Sequence, residues 1–323
     1  MTHDGSDSDF EEIASHFSAL WRALTQTEEG PRSPEARKIL ADRIRDALDR
    51  GEARLADTKA EIVANSFLLE ALVHDGASTQ IYRARHRDLN TPYAVKLLRP
   101  DHADDPVARK LLLREAEIGM TICHPNVAAA KVALRLADGR PALVMEWAGH
   151  RLADRLAHAP LSLRDVVTTM LETLSGLGAI HAAGFVHCDL SPANLLSADQ
   201  AYHSLKITDL GIALEIGRRH GELDLAFAGR PQFASPEQKA GEALDARADL
   251  YSAGLLLSGL LRHSRASHEE TEELEAISKR LSQPDPGDRP ANAGAALRLF
   301  DNLSSRWSLE AAQPQSARSS DIS

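Results

Sequence analysis

The sequence predicts an α+β fold in which a strand-rich segment precedes a longer helix-rich segment. From about residue 66, short apolar or β-branched runs such as 142–145 are separated by turn residues, which is typical of strands. One long helical pattern, at about 105–122, interrupts these runs. Helical patterns dominate from about 150 onward. At about 150 residues for each folded part, the 323 residues accommodate two such parts.

Two amphipathic helices are predicted ahead of the strands. Apolar residues recur at helical spacing between Phe10 and Leu24, and a second helical stretch runs from about 34 to 57. Residues 1–9 are polar and acidic, which predicts disorder, so 10–64 is predicted to be a helical extension. Two interpretations remain open: the helices of 10–57 pack on the following domain, or they bind a partner protein or a second copy of the chain.

Composition excludes several classes of protein. The net charge of −10 argues against a nucleic-acid partner. Only Cys123 and Cys188 are present, so there is no disulfide framework and a reducing cytosol fits best. The N-terminus lacks the basic start and apolar run of a signal peptide, and the most apolar stretch, 250–261, is too short to cross a bilayer and predicts a buried helix. We therefore expect a cytoplasmic protein without a membrane span, whose tail, 304–323, is disordered.

The strongest chemical motif is HCDLSPAN, from His187 to Asn194. Asp209 follows Asn194 by fifteen residues, at the end of the strand-like run 205–208. An Asp and an Asn on one loop, with a second Asp on the next turn, suit phosphoryl transfer. Asp189 can accept a proton from an attacking hydroxyl, while Asn194 and Asp209 offer hard oxygen ligands to Mg²⁺ on a nucleotide.

Together with other motifs in the same order, this pattern resembles the protein kinase family over most of 66–303. The other motifs are YAVK at 93–96, REA at 114–116, HPN at 124–126, LVMEW at 143–147, DLG at 209–211, GRPQFASPE at 229–237, DLYSAG at 249–254 and DRP at 288–290. The resemblance implies a bilobal domain at 65–303. A small lobe at 65–146 would hold an antiparallel sheet with one main helix, and 147–303 would form a larger helical lobe.

The resemblance also implies an activity and its residues: a bacterial serine/threonine protein kinase that acts in signalling and uses ATP with Mg²⁺ or Mn²⁺. Asp189 would be the catalytic base, Lys96 would hold the nucleotide phosphates, and Glu115, or Glu117 nearby, would pair with Lys96. Asn194 and Asp209 would hold the metal. The other implied nucleotide-binding residues are Gly76, Ser78, Thr79, Ile81, Ala94, Met145 as gatekeeper, Glu146 and Trp147. Arg289 would pair with Glu237.

Two departures concern the phosphate-covering loop and the activation segment. Only Gly76 remains of the family's GxGxxGxV pattern. Cys188 replaces the arginine that receives a phosphorylated activation loop in the family, and 212–228 contains no Ser, Thr or Tyr. The sequence therefore predicts a non-RD kinase, one without arginine before the catalytic Asp, that is not activated by phosphorylation of this segment.

Two further departures concern the transferred phosphate and the substrate. Ser191 replaces a lysine that faces this phosphate, and Arg230 replaces the threonine beside that lysine. We expect Arg230 to be catalytic by supplying the missing positive charge from the neighbouring position, the alternative being that it pairs with an acid elsewhere. Only 40 residues separate Asp249 from Arg289, which predicts loss of a helix on which protein substrates dock.

Two alternative functions remain beside the active protein kinase. The eroded glycine loop and Ser191 are compatible with a pseudokinase scaffold that binds a partner protein. A small-molecule phosphotransferase shares the HxDxxxxN pattern and often lacks the same lysine. The Ser-Pro-Glu motif at 235–237 together with Arg289 favours a protein kinase over the latter.

Overall fold

A computed structural model describes residues 6–27, 30–55, 62–136, 138–200, 202, 204–223 and 228–301. The chain divides into two compact units, Met1–Leu69 and Glu70–Ser323.

The first unit is mainly helical. Its elements in chain order are α1 (Ser6–Thr25), β1 (Gln26–Thr27), β2 (Gly30–Pro31), α2 (Pro34–Leu55), β3 (Ile62–Val63) and the first residues of β4 (Phe67–Asp75). The break between the helices lies at a two-stranded antiparallel turn, where Gly30 adopts a φ of 130° that other residues rarely adopt. Proline at the first position of α2 suits a helix start, because the missing N–H would have no partner there.

Helix α1 begins earlier than predicted. Residues 6–9 belong to the helix, so the expectation of disorder up to residue 9 is corrected for this part of the segment. Residues 1–5 and the tail 304–323 lie outside the described residues. The exposed side chains of Phe17 and Trp21 stack with ring centroids 6.4 Å apart, and their use in binding a partner stays a prediction.

The first part of the second unit is an antiparallel sheet with one main helix. After β4 come β5 (Thr79–His86), β6 (Pro92–Leu98), α3 (Pro106–Thr121), β7 (Ala130–Arg135) and β8 (Pro141–Glu146), with strand order β4–β5–β6–β8–β7. The carboxylate of Asp105 caps α3 by accepting from the N–H groups of Val107 and Ala108. Buried Leu112 and Ala116 of α3 pack with Leu143 of the sheet. Edge strand β7 was not predicted.

The second part is mainly helical, as predicted. Its elements are β9 (His150–Arg151), α4 (Leu152–His158), α5 (Leu163–Ala182), β10 (Phe185–Val186), β11 (Leu195–Ser197), β12 (Leu205–Ile207), β13 (Leu214–Glu215), α6 (Pro236–Lys239), α7 (Ala246–Arg262), α8 (His268–Leu281) and α9 (Ala293–Leu297). The buried helix expected at 250–261 lies within α7. Gly254 allows α7 to approach α8 closely, since a Cβ there would lie 2.8 Å from the backbone oxygen of Ser278.

The core of this part lies beneath the loop that follows β10. Leu174 and Leu177 of α5 and Leu250 and Leu257 of α7 are fully buried in one apolar cluster. Each such leucine contributes about 1.5–3 kcal/mol by leaving water. Leu190 belongs to the same cluster, which anchors the loop 187–194 to this core. Within the residues described, no helix is both long and apolar enough to cross a membrane.

Candidate active site

Three of the predicted site residues meet at one ammonium group. The Nζ of Lys96, on the central strand β6, lies 2.7 Å from Oε2 of Glu115 on α3 and 3.0 Å from Oδ1 of Asp209. Lys96 and Glu115 are buried, whereas the Asp209 side chain is 44% exposed. Glu115 is therefore the partner of Lys96, and the neighbouring Glu117 is exposed.

Charge within this triad is strongly coupled. Burial disfavours the ammonium form of Lys96, but the carboxylates of Asp209 and Glu115 outweigh it and raise the pKa of Lys96. The positive charge of Lys96 in turn lowers the pKa of Asp209 to about 2. Burial raises the pKa of Glu115 to about 7 against the attraction of Lys96, and the negative charge of Asp209 adds to the rise. At neutral pH a fixed positive charge and a fixed negative charge thus stand side by side.

Asp189 lies at the centre of a second set of hydrogen bonds. Its Oδ2 accepts from Nδ2 of Asn194 at 2.8 Å and from Nη1 of Arg230 at 2.7 Å, and its Oδ1 accepts from the backbone N–H of Arg230 at 3.0 Å. Burial raises the pKa of Asp189, and the positive charge of Arg230 opposes this rise. Arg230 therefore favours the anionic form, which can accept a proton.

Arg230 also contacts Ser191, the residue at which the family pattern has lysine. Its Nη1 donates to Oγ of Ser191 at 2.9 Å. The acid that Arg230 pairs with is Asp189 itself.

The loop that carries Asp189 is held from below by Asp249 of α7. Its Oδ1 accepts from the N–H of Cys188 at 2.9 Å, and its Oδ2 accepts from the N–H of His187 at 2.8 Å and lies 2.8 Å from Nε2 of His181. Cys188 has a φ of 67°, a left-handed conformation that costs a residue other than glycine about 1–3 kcal/mol. The buried carboxylate offsets this strain.

His187 joins this loop to the strand that ends before Asp209. Its Nδ1 accepts from the N–H of Asp189 at 3.1 Å, so its proton is on Nε2, which lies 3.0 Å from the backbone oxygen of Thr208. These two hydrogen bonds thereby fix the position of the loop 187–194 relative to the turn at Asp209.

A cavity between the sheet and the helical part is lined by most of the predicted site residues. The predicted nucleotide-binding residues that line it are Ile81, Ala94, Lys96, Met145, Glu146 and Trp147. The predicted catalytic residues Glu115 and Arg230 and the predicted metal ligands Asn194 and Asp209 line it as well. Gly76, Ser78 and Thr79 are not among the lining residues. Their loop is closed into a tight turn by a hydrogen bond from the N–H of Gly76 to the oxygen of Thr79 at 2.9 Å.

Other lining residues were missed at the sequence level. They are Val73, His74, Ala128, Ala148, Gly149, Arg151, Asp154, Ala193, Leu196 and Thr208. Gly149 makes room for the ring of Trp147, since a Cβ there would lie 2.2 Å from it, but this close approach is visible only in the structure. The other small and apolar residues have no chemical signature and enter the site only through the fold.

Comparison with known proteins decides the family. A model described as "Protein kinase domain" matches residues 68–293. The chain belongs to the protein kinase family. The resemblance of motifs and the bilobal fold that it implied are thus confirmed.

Bacterial relatives of this kinase are similar over much of its length. Serine/threonine-protein kinase pkn3 of Myxococcus xanthus is 30% identical over 297 residues, which cover 80% of this chain and 54% of pkn3. Serine/threonine-protein kinase PknB of Mycobacterium leprae is 31% identical over 192 residues, or 58% of this chain and 30% of PknB. The chain thus spans about half and about a third of the length of these relatives.

Solved structures show the same fold at lower identity. A crystal structure of the Mycobacterium tuberculosis PknI kinase domain superposes with a TM-score of 0.59 at 20% identity, covering 76% of this chain and 98% of that domain.

The kinase fold implies a metal–nucleotide complex, and the side chains fit one. Among the described residues, no group of three or more His, Cys, Asp or Glu side chains could hold a bare ion. Asn194 and Asp209 both line the cavity. The amide nitrogen of Asn194 is bonded to Asp189, which leaves its amide oxygen as the group that can face a metal. Mg²⁺ commonly takes one or two such side-chain oxygens together with phosphate oxygens and water.

The segment 229–237, which contains Arg230, is anchored to the helical lobe. The guanidinium of Arg289 binds both carboxylate oxygens of Glu237, at 2.7 and 2.9 Å, which confirms the predicted pair. Oγ of Ser252 donates to the oxygen of Phe233 at 2.9 Å. These contacts keep Arg230 near Asp189.

Proposed function

We propose that this kinase transfers the γ-phosphoryl group of Mg-ATP to serine or threonine hydroxyls of protein substrates in bacterial signalling. The observation that carries the proposal is the bridge from Lys96 to Glu115 and Asp209 at the wall of a cavity that Asn194 also lines. Relatives named serine/threonine-protein kinases support a protein hydroxyl as acceptor.

Each polar group then has a defined task. Lys96 places its ammonium against the nucleotide phosphates, and Glu115 keeps it there. Asn194 and Asp209 hold Mg²⁺, which supplies neutralisation of phosphate charge. Asp189 orients the acceptor hydroxyl and takes its proton. Catalysis of this kind rests on positioning and on charge stabilisation rather than on a covalent intermediate.

Thermal unfolding with nucleotide tests the binding step. We expect Mg-ATP at a hundred times its Kd to raise the Tm of the wild type by about 5–10 °C. Asp209→Asn removes the fixed negative charge beside Lys96, so the shift should be lost. Replacing Mg²⁺ with EDTA should have the same effect on the wild type. Asp88→Asn, on an exposed turn, is the matched control and should keep the full shift. Equal shifts for Asp209→Asn and the control would contradict the proposed nucleotide site.

Activation without phosphorylation of the segment 212–228 forms part of the proposal. The absence of hydroxyl-bearing residues in that segment supports it. Ser235, which lies beyond the segment, is fully buried, and its Oγ accepts from the N–H of Gln238 at 3.3 Å as the N-cap of α6. A phosphate at that position would have to displace a helix cap.

Arg230 is proposed to stabilise charge on the transferred phosphoryl group. We expect Arg230→Ala to lower kcat about tenfold to a hundredfold, because a directed cation near developing negative charge is lost. Arg230→Lys should recover part of this loss. Removal of Arg230 should also raise the pKa of Asp189, so the acidic limb of the kcat profile should move to higher pH.

Arg218→Ala provides the control for Arg230. Arg218 lies in the segment 212–228, which precedes Arg230, and its exposed side chain pairs with Glu222 at 2.9 Å. Its loss should leave kcat unchanged, since exposed ion pairs contribute little. If kcat of Arg230→Ala stays within about threefold of wild type, Arg230 has no catalytic role.

A further inference from the structure

Arg114 precedes Glu115 on α3 but makes its contacts across the cleft. Its Nε and Nη2 donate to the backbone oxygen of Ala213 at 3.3 and 3.2 Å. Its Nη1 lies 3.7 Å from Oε1 of Glu215, and the guanidinium carbon lies 6.0 Å from the ring centroid of Phe185. The Arg114 side chain is 19% exposed, so these contacts are partly shielded from water.

The groups that Arg114 contacts belong to one small element of the large lobe. Strands β10 and β13 pair with Phe185 opposite Glu215 and Val186 opposite Leu214. Strand β10 leads directly into His187 and the catalytic loop. Ala213 precedes β13 and follows Asp209 by four residues. One side chain on α3 therefore touches both the lead-in to the catalytic loop and the segment that follows the metal-binding aspartate.

We propose that Arg114 is a positioning residue that holds α3 in the conformation where Glu115 reaches Lys96, without any phosphorylated residue. The inference rests on the proposed function. Arg114 and Glu115 are adjacent, so a rotation or shift of α3 that breaks the bonds to Ala213 also moves Glu115. The distance of 2.7 Å between Lys96 and Glu115 leaves little room for such movement.

The groups that accept hydrogen bonds from Arg114 belong to the unmodified chain. Phosphorylation can order a segment by offering an arginine a charged oxygen acceptor. Here Cys188 offers no guanidinium to receive a phosphate, and 212–228 offers no hydroxyl to carry one. The carbonyl of Ala213 and the carboxylate of Glu215 are permanent acceptors instead. The conformation of α3 in which Glu115 reaches Lys96 is therefore favoured without modification, because only that conformation makes the contacts of Arg114.

Arg114→Gln beside Arg109→Gln tests the proposal. Arg109 is on the same helix and also donates to a backbone oxygen, from Nη2 to Gly139 at 2.6 Å, but within the small lobe. We expect Arg114→Gln to lower kcat for autophosphorylation about tenfold, as expected for loss of a charged hydrogen-bond set. The KM for ATP should change by less than about threefold. Hydrogen exchange of the α3 amides at 112–118 should accelerate about tenfold. Arg109→Gln should leave kcat and this exchange at wild-type values.

The outcomes separate this inference from the proposed function. If the wild type transfers no phosphate, the proposed function fails, and exchange in α3 still decides the role of Arg114. Equal kcat and equal α3 exchange in the two variants would overturn the inference. So would a fall in Tm for Arg114→Gln without a change in either quantity. If Arg114→Gln does not fold, Arg114→Lys replaces it. A lysine ammonium cannot reproduce the two hydrogen bonds that Nε and Nη2 of Arg114 donate to the oxygen of Ala213. The kcat of Arg114→Lys should then fall below that of Arg109→Gln, and equality would again contradict the proposal.

Discussion

Asp189→Asn will lower phosphoryl transfer by about 10²–10⁴-fold, the range over which a general base contributes. An amide cannot take the proton of the acceptor hydroxyl. It also turns an N–H₂ donor toward either Nη1 of Arg230 or the backbone N–H of Arg230, both of which donate to Asp189 in the wild type. Autophosphorylation with labelled ATP, with the sites mapped by mass spectrometry, measures the effect.

Binding of nucleotide provides the control for Asp189. The carboxylate is not among the groups lining the cavity, so the thermal shift with Mg-ATP should survive in Asp189→Asn. Asp88→Asn should keep full activity. If Asp189→Asn retained more than about a tenth of the wild-type rate, Asp189 would not be the base.

Of the substitutions proposed, Asp249→Asn will destabilise the protein most, lowering the free energy of unfolding by about 3 kcal/mol. The Asp249 carboxylate is fully buried and accepts two backbone N–H groups besides contacting His181. The amide of asparagine has one acceptor oxygen, so its NH₂ group would face one of the two backbone N–H groups, and two donors would oppose each other. Breaking a buried charged hydrogen-bond network costs on the order of 3–5 kcal/mol. Urea unfolding measures the change. Asp288→Asn, at an exposed position, should change the free energy by less than about 0.5 kcal/mol. A similarly small change in Asp249→Asn would contradict the expected effect.

The stabilisation by Asp249 has a defined pH dependence. Burial alone would raise its pKa, but the hydrogen bonds from the side chain of His181 and from the backbone N–H of His187 help to outweigh burial and lower the pKa below the ordinary 3.8. The unfolded state therefore binds this proton first as the pH falls. The contribution is complete above the unfolded pKa and is lost as the pH falls through the lower folded value. The difference in unfolding free energy between wild type and Asp249→Asn should shrink over that acidic range.

Some of the site could be predicted because its chemistry is local. Asp189 and Asn194 lie on one eight-residue loop, and Asp209 lies on the next turn. Residue types, spacing and strand ends are sufficient to propose an acid, an amide and a second acid near one nucleotide. The pairing of Glu237 with Arg289 was predictable only through resemblance, since 52 residues separate the two.

The glycine loop shows where local patterns stop being sufficient. Gly76, Ser78 and Thr79 fit the family pattern by position, but a turn closed by Gly76 and Thr79 keeps them out of the cavity lining. Strand β7 was missed for a related reason. Its alternation is built from Ala130, Lys131, Val132, Ala133, Leu134 and Arg135, in which alanine occupies both faces and weakens the polar–apolar contrast.

The sequence by itself determined the bilobal α+β organisation and the family, and it indicated Lys96, Asp189, Asn194 and Asp209 as the polar residues of the proposed site. Only the tertiary structure decided which groups the arginines contact: Arg230 bonds Asp189 from 41 positions away, and Arg114 bonds Ala213 from 99 positions away. Arginine is long and flexible, and any carboxylate or backbone carbonyl can accept its hydrogen bonds. Its partner is therefore selected by whatever the fold brings within reach.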